Sequence, residues 1–292
     1  MAACATSPSK SPTASTGRLQ VVAAEDFWGS LARQLGGSHV QVQSLIANPA
    51  TDPHDYEPTP ADGRAIASAD LVLTNGIGYD SWIDRLIAAN RSSARKVLKV
   101  GDLVGLEAGD NPHQWYSPDA VDKVIAAITD QYKSLDASHA ADYDSQRRAY
   151  ENTALSGYRS AIADIRATYS GTPVGASESL FTPLASALGL RLLTPPSFLN
   201  AVAEGSDPTA ADKATVDRQI ATKAISLFVF NRQNSTPDVE RLVGAANAAG
   251  IPVATITETL TPQGGTFQDW QTRQLHAIAA SLAAAGARAS AK

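Results

Sequence analysis

Residues 142–169 carry neither a proline nor a strong helix break. Apolar residues fall at Tyr143, Tyr150, Ala154, Tyr158, Ile162, Ile165 and Tyr169, spaced by three, four or seven. That spacing draws one stripe along an amphipathic helix. At 1.5 Å per residue the helix would be roughly 40 Å long. A rod of that length is either a crossover within one domain or a strut between two.

The flanks favour the strut. Before it, residues 19–24, 40–46, 71–74 and 96–100 read as strands, and helical patterns alternate with them. Thr59-Pro60-Ala61-Asp62 and Ser117-Pro118-Asp119-Ala120 are helix starts: a hydroxyl N-cap, then proline at the first helical position. After Ser170-Gly171-Thr172-Pro173 the alternation restarts, with strands expected at 174–176, 190–193, 227–230 and 253–256 and a last helix over 267–285. Strands alternating with helices predict mainly parallel sheets flanked by helices. The expected fold is therefore α/β: two α/β lobes joined by one long rigid helix. The expected divisions are a disordered tether over 1–17, lobes over 18–141 and 170–292, and the linking helix over 142–169. A chain of 292 residues is long enough for two such cores.

Two of the five histidines sit in near-copies of one motif, Asp52-Pro53-His54-Asp55-Tyr56 and Asn111-Pro112-His113-Gln114-Trp115. Proline fixes its own φ and pushes the preceding residue to an extended shape, so each imidazole is presented from a stiffened loop. Two such imidazoles in a His-poor chain point to a metal. Glu178 lies just past the strand expected at 174–176, and Glu258 just past that at 253–256. All four groups thus lie beyond carboxyl ends of strands, where open α/β sheets place their ligands, two from each lobe and facing one cleft. Taken singly, each has an ordinary reading: a loop histidine, a cap, a surface acid. Joint position is what marks them. Asp52, Asp55 and Glu57 read as supporting or capping groups, with Asp55 the reserve ligand. Trp115 and Tyr56 read as packing in the cleft, and His39, His139 and His276 as structural or exposed.

These pieces, with Asn75-Gly76-Ile77-Gly78-Tyr79 and Gly250-Ile251-Pro252-Val253, resemble the cluster A-I metal-binding proteins of ABC importers, the zinc- and manganese-specific solute-binding proteins. The resemblance runs from Arg18 to the last helix. It implies two lobes joined by a rigid helix, and a metal held by His54 and His113 from the first lobe and by Glu178 and Glu258 from the second. The third position is His or Glu in that family. The fourth is usually Asp, so Glu258, one methylene longer, departs from the pattern. The resemblance further implies an ABC permease as partner, and no enzymatic activity.

Two imidazoles and two carboxylates neutralise a divalent cation. Imidazole suits zinc, whereas carboxylate moves preference toward Mn²⁺, which the Glu at the third position favours. Zinc remains the competitor, because the Irving–Williams order ranks it above manganese. A metal-dependent hydrolase using the same cluster would need an open coordination position, and no compact motif such as His-Glu-x-x-His is present. A haem- or siderophore-binding protein is the other alternative, and it would not need paired Pro-His motifs.

Cys4 is the sole cysteine, so the chain has no internal disulfide and no thiolate for a metal. It follows small residues and precedes a Ser-, Thr-, Pro- and Ala-rich stretch, as at the processing site of a bacterial lipoprotein. The expectation is an extracytoplasmic monomer held to the cell membrane by lipid on Cys4, in a chain that starts close to the mature end. Net charge is −5, and no basic patch carries interleaved aromatics, so nucleic acid is not an expected partner.

Overall fold

A computed structural model of the chain describes residues 17–48, 51 and 56–290. In the first part, strands β1 (Leu19–Glu25), β2 (Val40–Ile46), β3 (Leu71–Thr74) and β4 (Lys96–Lys99) alternate with helices α1 (Asp26–Gly36), α2 (Pro60–Ser68), α3 (Ser81–Ala89), α4 (Val100–Val104) and α5 (Pro118–Leu135). Helices α6 (Ala140–Ala149) and α7 (Ser156–Tyr169) form the middle. The last part holds β5 (Pro173–Ala176), β6 (Arg191–Leu192), β7 (Leu227–Asn231) and β8 (Val253–Ile256), with α8 (Thr182–Ala187), α9 (Pro196–Ala203), α10 (Ala210–Ala221), α11 (Pro237–Ala248) and α12 (Phe267–Ser290).

Both sheets have the same order, β2-β1-β3-β4 and β6-β5-β7-β8, with every pair parallel. In each, the chain moves outward in one direction from the first strand and then returns to the other side. The switch point therefore falls between β1 and β3 and, equivalently, between β5 and β7. This position leaves a crevice outside the strand ends.

Alternation along β1 explains how its sheet is covered on both faces. Val21 and Ala23 join the large core with Leu31, Leu71 and Val124, while Val22 and Ala24 face a smaller core with Ile66, Val72 and Trp82. The large core is continuous through both sheets, from Val21 to Leu282. Helix starts form as the caps require. Thr59 and Asp62 make a reciprocal capping box, while Ser117 and Thr236 accept from Ala120 N and Val239 N.

The middle stretch is helical, with one feature that the stripe concealed. Between α6 and α7, Tyr150–Ala154 forms a π-helical turn, closed by Leu155 N donating to Tyr150 O at 2.9 Å. A π turn inserts one extra residue. Tyr143, Tyr150 and Tyr158 all remain buried across it. Helix α12 then packs back against α7 and α1, and Gln34 and Gln268 exchange amide hydrogen bonds at 2.8 and 3.1 Å.

Candidate metal centre

The turn after β3 is built on three successive left-handed residues, Gly76 (φ 73°), Ile77 (φ 59°) and Gly78 (φ 83°). For β-branched Ile77 this is a strained conformation. Asp80 braces it, accepting from the backbone N–H groups of Asn75 and Gly76, both at 2.7 Å. The turn delivers Tyr79, which is buried and donates its hydroxyl to Glu258 Oε1 at 2.9 Å. Burial, reinforced by the charge of Glu258, pushes the Tyr79 phenol well up, so it stays a proton donor. Asn75 ties this turn to the next loop. It accepts from Trp28 Nε1 and donates to Pro112 O at 2.9 Å.

His113 follows that proline and is fully buried. Asn111 sets its ring. The Asn111 amide nitrogen donates to Ser179 O at 2.8 Å, which fixes its Oδ1 as the acceptor. Oδ1 takes the His113 N–H at 3.0 Å and lies 2.8 Å from His113 Nδ1. The Nδ1 therefore carries the proton, so Nε2 is the nitrogen that could ligate a metal. Trp115, the expected cleft packing residue, is buried, stacks on Phe27 at 4.1 Å and meets the His113 ring edge-on at 5.2 Å.

From the second sheet, Glu178 follows β5 and Glu258 follows β8, and both are buried. Glu178 Oε1 lies 3.8 Å from His113 Nε2, and Glu258 Oε1 lies 3.9 Å from it. Metal bonds of about 2.0–2.2 Å to imidazole and carboxylate allow ligand atoms to stand up to roughly 4 Å apart, so each glutamate oxygen is at a distance from His113 Nε2 that two ligands of one ion could have. Asn231, the last residue of β7, donates to Glu178 Oε2 at 2.9 Å and reaches Glu258 Oε2 at 3.5 Å. It aligns both carboxylates without adding charge. A cleft of about 240 Å³ opens beside the cluster, lined in part by Tyr79, Asn111, Ser179 and Glu204.

Of the expected ligands, the structure brings together His113, Glu178 and Glu258. His54 and its reserve Asp55 lie outside the described residues, as does Cys4. Sequence reasoning missed Asn231 and gave Tyr79 and Asn111 no role. The signal for Asn231 was available: a polar residue immediately after the all-buried run 227–230, at the same strand end that marked the glutamates.

The family described as "ZnuA: Zinc-uptake complex component A periplasmic" matches residues 21–281. The chain belongs to this family. Among curated relatives, the "Manganese-binding lipoprotein MntA" of Halalkalibacterium halodurans is 29% identical over 137 residues, 45% of this chain and 45% of the relative. The "Iron-binding protein YfeA" of Yersinia pestis is 28% identical over 145 residues, 48% of this chain and 46% of the relative. The chain spans about half the length of these relatives. A longer match, 24% over 279 residues and 85% of the relative, is to the "Metal ABC transporter substrate-binding lipoprotein FimA" of Streptococcus parasanguinis. Solved structures share the fold. The Mn-bound S38A periplasmic metal binding protein of candidatus liberibacter asiaticus has a TM-score of 0.77 at 21% identity, covering 91% of this chain and 100% of that one. The periplasmic zinc binding protein TroA of Treponema pallidum has a TM-score of 0.74 at 20% identity, with 91% and 99% covered. The expected two-lobed α/β fold agrees with these neighbours. The family and these relatives carry the names of uptake and binding proteins, in line with the expectation of a binding protein rather than an enzyme.

Proposed function

We propose that this protein captures a divalent transition metal outside the cytoplasmic membrane and hands it to an ABC permease. The ion sits in the cleft between lobes 18–141 and 170–292, which residues 142–169 join, and is held by His54, His113, Glu178 and Glu258. The reading rests above all on the convergence of His113 Nε2 with Glu178 Oε1 and Glu258 Oε1 within 3.9 Å, drawn from two different sheets. Two buried carboxylates at one imidazole are costly without a cation, and a divalent ion offsets their charge. The names of the relatives, which include manganese, zinc and iron binding, support the same class of cargo.

Mn²⁺ is the favoured cargo and Zn²⁺ the competitor. The donor set is oxygen-rich and holds no thiolate, which moves the site toward the harder ion. Among the described residues no helix is long and apolar enough to cross a membrane, and attachment is assigned to lipid on Cys4. The protein acts as a monomer. Release requires the lobes to separate, which parts His113 from the two glutamates. The core shared by both lobes keeps that movement small.

Elemental analysis of protein purified without added metal, followed by competitive titration of the stripped protein with Mn²⁺ and Zn²⁺, tests this. One tight equivalent per chain at the cleft, without turnover of ester or phosphoester substrates, is expected. Absence of tight binding by either ion would overturn the reading.

A further inference from the structure

A second group of metal-competent side chains meets on the first lobe, outside the interlobe cleft. His39 ends the short turn between α1 and β2, while Asp136 and His139 flank the turn between α5 and α6. The two imidazoles stack, with centroids 4.0 Å apart and planes 25° from parallel. One ring nitrogen from each histidine and one Asp136 carboxylate oxygen all lie within 4.8 Å of one another. All three residues are partly exposed, so an ion can reach them from solvent.

The carboxylate is held in place. Asp136 Oδ1 accepts from Ser138 Oγ at 2.7 Å, and Oδ2 accepts from the hydroxyl of buried Tyr143 at 2.9 Å. Tyr143 also meets the His39 ring edge-on at 5.7 Å. His139 Nδ1 stands 2.7 Å from Asp136 Oδ2, and His39 Nε2 stands 3.1 Å from Asp142 Oδ2. A metal-binding histidine or carboxylate is ordinarily oriented by such outer contacts.

We propose that His39, Asp136 and His139 form a second metal site, with Asp142 within reach as a further oxygen donor. In a tetrahedral site with bonds of about 2.0–2.2 Å, ligand atoms stand roughly 3.3–3.6 Å apart. The His139–Asp136 pair has only to open by less than an ångström as the ion displaces the hydrogen between them. The more distant pairs, none more than 4.8 Å apart, close by at most about 1.5 Å. Two imidazoles and a carboxylate can hold Zn²⁺ or Cu²⁺, and the Irving–Williams order ranks both above Mn²⁺ in raw affinity, as it does at the cleft. Asp136 and His139 come from one turn and are already placed, whereas His39 comes from a different part of the chain. A bound ion therefore clips the α1–β2 corner to the start of α6.

Zinc titration of the stripped full chain, by calorimetry and with Co²⁺ absorption as a spectroscopic signature of tetrahedral ligation, tests the site. Two Zn²⁺ equivalents are expected, one tight and one weaker. The double variant His39→Gln/His139→Gln should lose at least tenfold in the weaker step and keep the tight one. Asp136→Asn should weaken the same step while leaving the imidazole stack in place. Glu178→Ala should do the reverse, removing the tight step and keeping the weaker, so failure of the cleft reading and failure of this one are distinguishable. A single Zn²⁺ equivalent in the wild type that Glu178→Ala removes would overturn the proposal. So would a second equivalent indifferent to both His39→Gln/His139→Gln and Asp136→Asn.

Discussion

The two sheets share one strand order, and each carries a glutamate just beyond or at the end of its first strand and an asparagine at the end of its third. In the first lobe these are Glu25 and Asn75; in the second they are Glu178 and Asn231. The chemistry differs because the neighbours differ. Glu25 is fully buried, and its carboxyl is pushed well up, first by burial and then by the charge of Asp80. Asp80 is itself raised to about 6 by burial, although hydrogen bonds from backbone N–H groups, those of Gly76 and Asn75 foremost, oppose the shift. The first lobe thus buries its switch-point acid where the charged form is disfavoured, and extends a histidine from a later loop. The second lobe gives Glu178 an amide donor, and its Oε1 stands 3.8 Å from His113 Nε2 of the first lobe. A topological position supplies an opportunity, and the adjacent side chains decide what is done with it.

The largest effect should come from testing the two glutamates against each other. Glu178→Gln should weaken metal binding by more than the roughly 100-fold upper end of an outer-contact change. Glu25→Gln should leave affinity within about threefold. Equal losses in a competitive titration would break the contrast. Next, Asn231→Ala removes the donor shared by Glu178 and Glu258 and should cost roughly 10–100-fold in affinity. The same titration reads it, with far-UV circular dichroism as a folding control.

A pH series sharpens the comparison from the side of the first lobe. Asp26, next to Glu25, is raised from 3.8 to about 7, chiefly by burial, with the hydrogen bond from Leu260 N partly opposing. The folded state holds the proton that the unfolded chain releases near pH 4. The stability linked to Asp26 is thus present below about pH 4 and is lost as pH rises toward 7. Asp26→Asn should remove that slope, gaining on the wild type by about 2 kcal/mol between pH 4 and pH 8, roughly half of what the full shift would give. Urea denaturation at the two pH values measures it, and parallel curves would contradict the assignment. The smallest loss expected from a change at the cleft belongs to Tyr79→Phe. It removes one hydrogen bond to Glu258, of about 1 kcal/mol, so affinity should fall about fivefold.

Much of this arrangement could be read from residues alone, because strand alternation and capped helix starts are local signals. The candidate ligand positions proposed for the cleft followed from a rule about strand ends. The π turn was hidden because the spacing from Tyr143 to Tyr158 still matches a helical stripe at seven and four residues. Helices α9 and α10 were not foreseen, since Pro195 and Pro196 read as a stop and α10 buries only Val216 and Ile220. The roles of Asn231 and Tyr79, and the contact with Ser179 that orients the Asn111 amide, depend on partners 27 to 179 residues away along the chain, which no local pattern carries.

The unbroken core has a consequence for how the molecule comes apart. Phe27 stacks on Trp115, Tyr116 meets Trp270, and Phe267 meets both Trp270 and Tyr158, so aromatic packing crosses from one sheet to the other without a seam. The lobes then have no independent melting points. Scanning calorimetry of the metal-free protein should record a single endotherm whose calorimetric and van't Hoff enthalpies agree, as for one cooperative unit.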